Sequence, residues 1–343
     1  MGGSKTRSHK RRRLPTEAAL AAKAAAAVEA AETPEPAAYV RPGESESGAA
    51  FELYYRAQRI LPDGSNDDED AWSAFLGQLR RPLPVTFRFN ESAHLSTLCA
   101  EAMRTGMRLL DPCGAGVEVP CDESGRPLRM PVRLRWCNGW QLGCSASILK
   151  RPQHAYWSEL NDWLTRWAAL GVLSRQAIDS MAPVSLLNVA PHHTVLDLCA
   201  SPGSKTQQLL DAMHADPATA PTGLVVANDF SPFRARMLVR RCAALGRAAA
   251  RCVVVTHAAQ HFPDVSGRVG SHGEGAYDRI VCDVPCCGTL EPPPTHTHTI
   301  NPEAPPHWRP SFAQRLHGLQ ICIALRGIAL LRVGGEMAFS TCA

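Results

Sequence analysis

Four short stretches of this 343-residue sequence combine residue types that can do chemistry. The first is Asp197-Leu198-Cys199-Ala200-Ser201-Pro202-Gly203-Ser204-Lys205-Thr206. A β-rich run precedes it and a helix-forming run follows. Gly203 can therefore bring backbone close to a ligand, while the helix amino terminus favours an anionic group such as a carboxylate. The glycine spacing is neither that of a dinucleotide fingerprint nor that of a Walker loop. An ordinary strand-to-helix turn would account for Gly203 equally well. Lys205 argues for a site, because a cation at the mouth of a sheet has no packing reason to be there. The second stretch, Asn228-Asp229, puts an acid at the end of the next β-like run, where a carboxylate can accept from both hydroxyls of a ribose. Its structural alternative is to cap the helix that begins near Pro232. Together the two stretches favour a nucleoside cofactor with an amino-acid end, as in S-adenosylmethionine, over a dinucleotide with a pyrophosphate.

The third stretch is Cys282-Asp283-Val284-Pro285-Cys286-Cys287-Gly288 and the fourth is Ser340-Thr341-Cys342. Two cysteines at neighbouring strand ends could ligate a metal, but no paired Cys-x-x-Cys or matching histidine spacing accompanies them, so no metal is expected. Covalent chemistry is the other option. A thiolate can add to C6 of a pyrimidine, making C5 a carbon nucleophile, and a second thiol can help remove the adduct. Asp283 could then accept from the amino group of cytosine. Inert packing is the commoner fate of a cysteine at the end of a buried strand. His296 and His298, in the Pro-rich stretch Pro292 to Pro306, read as a solvated insertion.

The elements that must position these residues follow from length and composition. The chain is 45% hydrophobic, enough for two domains and a tail. No long uncharged apolar run occurs, so neither a membrane span nor a signal peptide is expected. The 13 cysteines lack disulfide-scaffold spacing and predict free thiols with no structural disulfide. Lys5, Arg7, Lys10, Arg11, Arg12 and Arg13 account for the net charge of +4; the remaining chain has 30 Lys+Arg against 32 Asp+Glu. That basic run predicts nuclear, including nucleolar, targeting with an import receptor as partner.

Residues 1–45 are expected to form a disordered basic and Ala/Pro-rich tail. Residues 46–170 read as a small α+β domain, with helices over Phe51 to Ile60, Ala71 to Leu79 and Ser92 to Met107, a strand over Val85 to Phe89, and turns around Gly114, Gly125 and Gly139. Leu160, Trp163, Leu164 and Trp167 recur at helical spacing in a bridging segment, Ser158 to Leu170. Residues 171–343 alternate strands and helices. Strands are predicted at Thr194 to Leu198, Leu224 to Ala227, Cys252 to Val255, Ile280 to Val284 and Met337 to Ser340. Helices are predicted at Ser204 to Met213, Pro232 to Leu245 and Phe312 to Leu331. This pattern predicts an α/β fold with a doubly wound parallel sheet, its ligand site at the carboxyl ends of the strands.

The stretch from Ser174 to Asp229, with LLNV, PHH, DLCASPGSKTQQLL and AND, resembles the Nop2/Sun family of RNA cytosine-5 methyltransferases, and DRIVCDVPC, RLHGLQ and the final STC continue the resemblance. FELYYRAQRI and AWSAFLGQLRRPLPVTFRFN are similar to the eukaryotic multisite tRNA branch. The resemblance covers about residues 51–343 and implies a Rossmann-like class I methyltransferase domain preceded by an RNA-binding domain, acting on tRNA; a monomer is expected. By position it implies that Cys199, Ala200, Ser201, Pro202, Gly203, Ser204 and Lys205 bind S-adenosylmethionine, that Asp229 holds its ribose, and that Asp283 meets both cofactor and base. It further implies Cys342 as the attacking nucleophile and Cys286 as the residue that assists release, with Lys205 in the catalytic set. Enzymes of this kind extract the target cytosine from its stack.

Three departures from the family pattern qualify the expectation. Ala258 stands where the family has an acid that contacts adenine. The stretch Cys287-Gly288-Thr289 is shorter than its family counterpart. The sequence also stops one residue past Cys342, so the sheet is expected to lack the family's following strands and helix. A catalytically impaired RNA-binding homologue is thus the rival reading, and small-molecule methyl transfer a third that leaves the paired thiols unused. Arg133, Arg135, Trp136 and Trp140 form a candidate base-stacking patch, with core packing as the alternative for each tryptophan.

Overall fold

The structure, a computed structural model, describes residues 46–61, 68–79, 83–90, 92, 95–110, 129–150, 155–216, 218–264, 275–286 and 310–341. The tail 1–45, Gly114, Gly125, Cys287 to Thr289, Pro292 to Pro306 with His296 and His298, and Cys342 lie outside the described residues.

The first unit begins with helices α1 (Glu46–Ala57) and α2 (Glu69–Leu79) and strand β1 (Pro84–Phe89). It continues through α3 (Ser96–Leu110), β2 (Arg129–Arg133), β3 (Gly139–Ser145), α4 (Ala155–Ala169) and β4 (Leu173–Arg175). The four strands form an antiparallel sheet in the order β2-β3-β1-β4. Helix α4 buries Trp157, Leu160, Trp163, Leu164 and Trp167, the stripe its spacing predicts. Trp163 meets Phe87 and Phe89 of β1 edge-on, with ring centroids 5.9 and 6.2 Å apart. Helix α3 approaches the same indole so closely that a Cβ on Gly106 would lie 2.4 Å from it, so only glycine fits there.

The turn expected around Gly139 is the bend over residues 135–138 that joins β2 to β3, and Gly139 itself opens β3. The sheet also takes its fourth strand from Leu173–Arg175, past the expected boundary at residue 170, because Phe87, Arg88 and Phe89 pair with Arg175, Ser174 and Leu173.

The second unit runs through α5 (Ile178–Ser185), β5 (Thr194–Asp197), α6 (Ser204–Met213), β6 (Leu224–Asn228), α7 (Pro232–Ala243), β7 (Cys252–Val255), β8 (Tyr277–Asp283), α8 (Pro310–Leu330) and β9 (Leu331–Ser340). Its five strands are all parallel, ordered β7-β6-β5-β8-β9. Strand order therefore reverses between β5 and β8, and a crevice opens at their carboxyl ends where the two chains leave in opposite directions. The cysteines Cys144, Cys199, Cys242, Cys252, Cys282 and Cys322 are thiols. Cys286, however, is disulfide-bonded to a residue outside those described, contrary to the expectation from composition. Among the described residues no helix is long and apolar enough to cross a membrane.

A buried polar network joins the two units. Arg88 Nη1 of β1 lies 3.0 Å from Asp211 Oδ2 of α6, with 3% and 6% of the side chains exposed. Ser92 donates its amide and its hydroxyl to Asp211 Oδ1 at 2.6 and 2.9 Å. Arg88 Nε donates to Gln176, and Gln176 to Gln208 of α6. Removing one partner of such a pair leaves an uncompensated buried charge, at about 3–5 kcal/mol. Arg88→Met should therefore lower the thermal midpoint by several degrees, whereas Arg104→Ala, which breaks an exposed pair with Glu101, should leave it unchanged. Thermal melts followed by circular dichroism check both, and equal midpoints for wild type and Arg88→Met would remove the network from its structural role.

Candidate active site at the sheet switch point

The crevice is built from the ends of β5, β6 and β8 with β9 alongside. Strand β5 ends at Asp197, and the turn to α6 passes through Gly203, whose φ of 107° is a left-handed conformation costly for any residue with a Cβ. A Cβ there would also lie 2.8 Å from Leu238 of α7. The turn is held from several sides. Ala200 N donates to Asn228 O, Ser201 N donates to Asp229 Oδ2, and Arg234 Nη2 donates to Ser201 O. Arg241 Nη1 donates to Ser204 Oγ.

Lys205, in the first turn of α6, extends its ammonium to Asp283 Oδ2 at 2.7 Å and to Ser180 Oγ at 2.9 Å. Asp283 ends β8 and is paired in register with Ser340, the end of β9, whose hydroxyl donates to Asp283 Oδ1 at 2.6 Å. The Lys205 side chain is 13% exposed and that of Asp283 36%, so the pair faces the opening from the carboxylate side. One sequence-distant triad thus forms from residues on α6, β8 and β9. Gln320 of α8 donates to Pro285 O and fixes the chain just beyond it.

Asp229 is buried and accepts from Ser231 N as well as from Ser201 N, while the cap of α7 is Ser231, whose Oγ accepts from Arg234 N. Asp229 therefore braces the turn and does not serve as the helix cap, and a carboxylate with two amides bound still has lone pairs for further donors. Asn228 was assigned no task by the sequence. It is fully buried and ties three strand ends together, donating to Leu198 O and His257 O and accepting from His257 N. Its only signal in the sequence is a polar residue closing an apolar strand. Ala258 follows β7 with a methyl group where a carboxylate was expected.

Two buried polar atoms at this switch point, Asp197 Oδ1 and Ser201 Oγ, have no hydrogen-bond partner among the described residues. Burial pushes the Asp197 carboxyl up to about 7, against the hydrogen bond from Thr206, which lowers it. Burial also raises the Cys199 thiol well above its ordinary value and the Cys282 thiol to about 12, so both are packing groups rather than nucleophiles. Cys286 is half-buried three residues beyond Asp283. Among the described residues no cluster of His, Cys, Asp and Glu could hold a metal. In the first unit Trp140 packs against the core, whereas Arg133 at the end of β2 and Arg135 and Trp136 in the bend that follows are exposed.

Comparison with known proteins places these features in a family context. The family described as 16S rRNA methyltransferase RsmB/F matches residues 184–343. The chain is 34% identical over 298 residues to a multisite-specific tRNA:(cytosine-C(5))-methyltransferase of Saccharomyces cerevisiae, covering 85% of this chain and 40% of that protein. It is 35% identical over 310 residues to a tRNA (cytosine(34)-C(5))-methyltransferase of Drosophila melanogaster, covering 86% of this chain and 38% of that one. It thus spans about two fifths of the length of these relatives. The crystal structure of NSun6 from Pyrococcus horikoshii with SFG shares the fold, with a TM-score of 0.56 at 16% identity over 86% of this chain and 83% of that one.

The raised Asp197 sets a pH dependence. As pH rises from about 4 toward 7, the carboxyl ionises in the unfolded chain but stays protonated in the folded one, so folding loses stability across that window and levels off above it. Asp197→Asn should remove this decline. Urea midpoints measured between pH 4 and 8 for both proteins check it, and parallel curves would refute the assignment.

Proposed function

Since residues 184–343 belong to the RsmB/F-type (Nop2/Sun) methyltransferase family, we propose that the chain methylates C5 of cytosine in tRNA with S-adenosylmethionine as methyl donor, through a covalent Cys–C6 adduct. The observation that carries this reading is the triad of Lys205, Asp283 and Ser340 at the switch point, bordered by the cysteine-bearing strand ends. The cofactor fits the residues present. Asp197 Oδ1 and Ser201 Oγ are buried polar atoms in need of partners, the left-handed Gly203 keeps backbone open to close approach, and Asp229 retains acceptor capacity for a ribose. S-adenosylmethionine supplies an electrophilic methyl group when bound.

The residues of this chain do the rest. Lys205 and Ser340 hold both Asp283 oxygens, which fixes the plane of a carboxylate that can accept from the cytosine amino group. The Cys342 thiolate forms a bond to C6 of the base, and C5 takes the methyl group. The Cys286 thiolate then takes the C5 proton, and Cys342 leaves C6 as a thiolate, which restores the C5–C6 double bond. Cys286 must be a thiol for this task, so its disulfide has to be reduced first. Trp136, with Arg133 and Arg135, offers an exposed surface for stacking and phosphate contact in the first unit. The basic run Lys5 to Arg13 supports nuclear or nucleolar targeting through an import receptor. We take the monomer as the working state.

Two measurements test the reading. S-adenosylmethionine should bind, but several-fold more weakly than to a protein with an acid at the position of Ala258, because one hydrogen bond is worth on the order of 1 kcal/mol. Absence of saturable binding at millimolar cofactor in calorimetric titration would remove the methyltransferase reading for this chain. In reductant, Cys342→Ala should abolish methylation without trapping RNA, whereas Cys286→Ala should accumulate a protein–RNA species that survives denaturing gels. The opposite pattern would exchange the two roles.

A further inference from the structure

Helix α7 carries a surface that the cofactor site does not use. From Ser231 to Pro263 the sequence has six arginines and no Asp or Glu, although the chain outside the basic amino-terminal run is slightly acidic overall. The helix buries Ala235, Leu238 and Cys242 against the sheet. Arg234 and Arg241, on one flank, are engaged with Ser201 and Ser204. The outward face presents Phe233, Arg236, Met237 and Arg240 at helical spacing, and Arg247 and Arg251 are exposed on the turn Gly246–Arg251 that follows the helix. Phe233 is 72% exposed and Met237 45%. Arg236, Arg240, Arg247 and Arg251 are exposed and enter no salt bridge with the described residues.

A merely solvated face would mix charge signs and spare its large apolar groups from water. This one is of a single sign and interleaves arginines with an aromatic ring, the composition that grips a phosphodiester backbone while stacking a base. Its position is also apt. The helix starts three residues after Asp229, at the rim of the crevice, and extends about 18 Å from there. We propose that this outer face of α7, with the turn that follows, is a second RNA-binding surface, separate from the first unit. Its four exposed arginines hold the backbone of the substrate RNA, and Phe233 stacks an unpaired base. The proposal rests on the reading of the chain as an RNA methyltransferase.

The test uses the full chain and an in-vitro-transcribed tRNA, titrated by fluorescence anisotropy across a salt series. Changing Arg236, Arg240, Arg247 and Arg251 together to Gln should reduce the slope of log affinity against log salt by about 3, since each phosphate contact contributes roughly 0.7–0.9. The same four changed to Lys should keep the slope. Phe233→Ala should weaken binding roughly five- to tenfold at unchanged slope. Calorimetric binding of S-adenosylmethionine should be equal in all variants, which shows that they are folded. If wild type binds and methylates tRNA while the Gln variant keeps both slope and affinity, the surface is not an RNA site and the methyltransferase reading stands. If wild type binds no tRNA at any salt concentration, both fall together.

Discussion

Helix α6 is the element on which the two halves of this protein depend, and the buried Arg88–Asp211 pair is what fixes it. One end of the helix places Lys205 against Asp283, while its middle presents Gln207, Gln208 and Asp211 to the first unit. Thr206 through Asp211 are all buried, so the helix is enclosed on both sides rather than amphipathic. A helix in that position must satisfy its polar groups internally, because an unpaired buried charge costs far more than the pair contributes. The chain meets the requirement by sending Arg88, Asn90, Ser92, Ser174 and Gln176 from the first sheet and its margins. Displacing the first unit would thus disturb the helix that holds the lysine.

At the switch point the same logic operates at smaller scale. Three carboxylates, Asp197, Asp229 and Asp283, lie close to one another in sequence-distant strand ends, and each is held differently. Asp197 is deepest and is kept protonated by burial up to about pH 7. Asp229 is occupied with backbone amides of two loops, and Asp283 has a cation on one oxygen and a hydroxyl on the other. The most open of the three is the one held by charge, which leaves a preoriented acceptor toward the crevice.

The α/β class and the parallel sheet were legible where a strand is a short β-branched run bounded by turn residues, as at Thr194–Asp197 and Cys252–Val255, whereas the last strand, expected at Met337 to Ser340, runs over Leu331–Ser340 because pairing with β8 extends it through Gly334 and Gly335. The α6 span Ser204–Met213 was legible from its ends. The first sheet was less so. Gly139–Ser145 carries glycines and a glutamine, and Leu173–Arg175 is three residues long; neither has a pattern that local propensity could separate from a loop. Both are strands because β1 lies between them and leaves no other partner for its backbone groups.

Sequence alone determined which residues could do the chemistry. Asp229 and Asp283 stand at strand ends and Lys205 in the first turn of α6, places where a charged side chain is not explained by packing, and motif resemblance ties them to a family. The tertiary structure alone decided how they are used. That Ser340 would bind Asp283, that Asn228 would tie three loops, and that Arg88 would reach Asp211 across 123 positions are consequences of register and burial. No local pattern encodes them, because a hydrogen bond between residues far apart in sequence exists only once the chain has brought both into the same dry space.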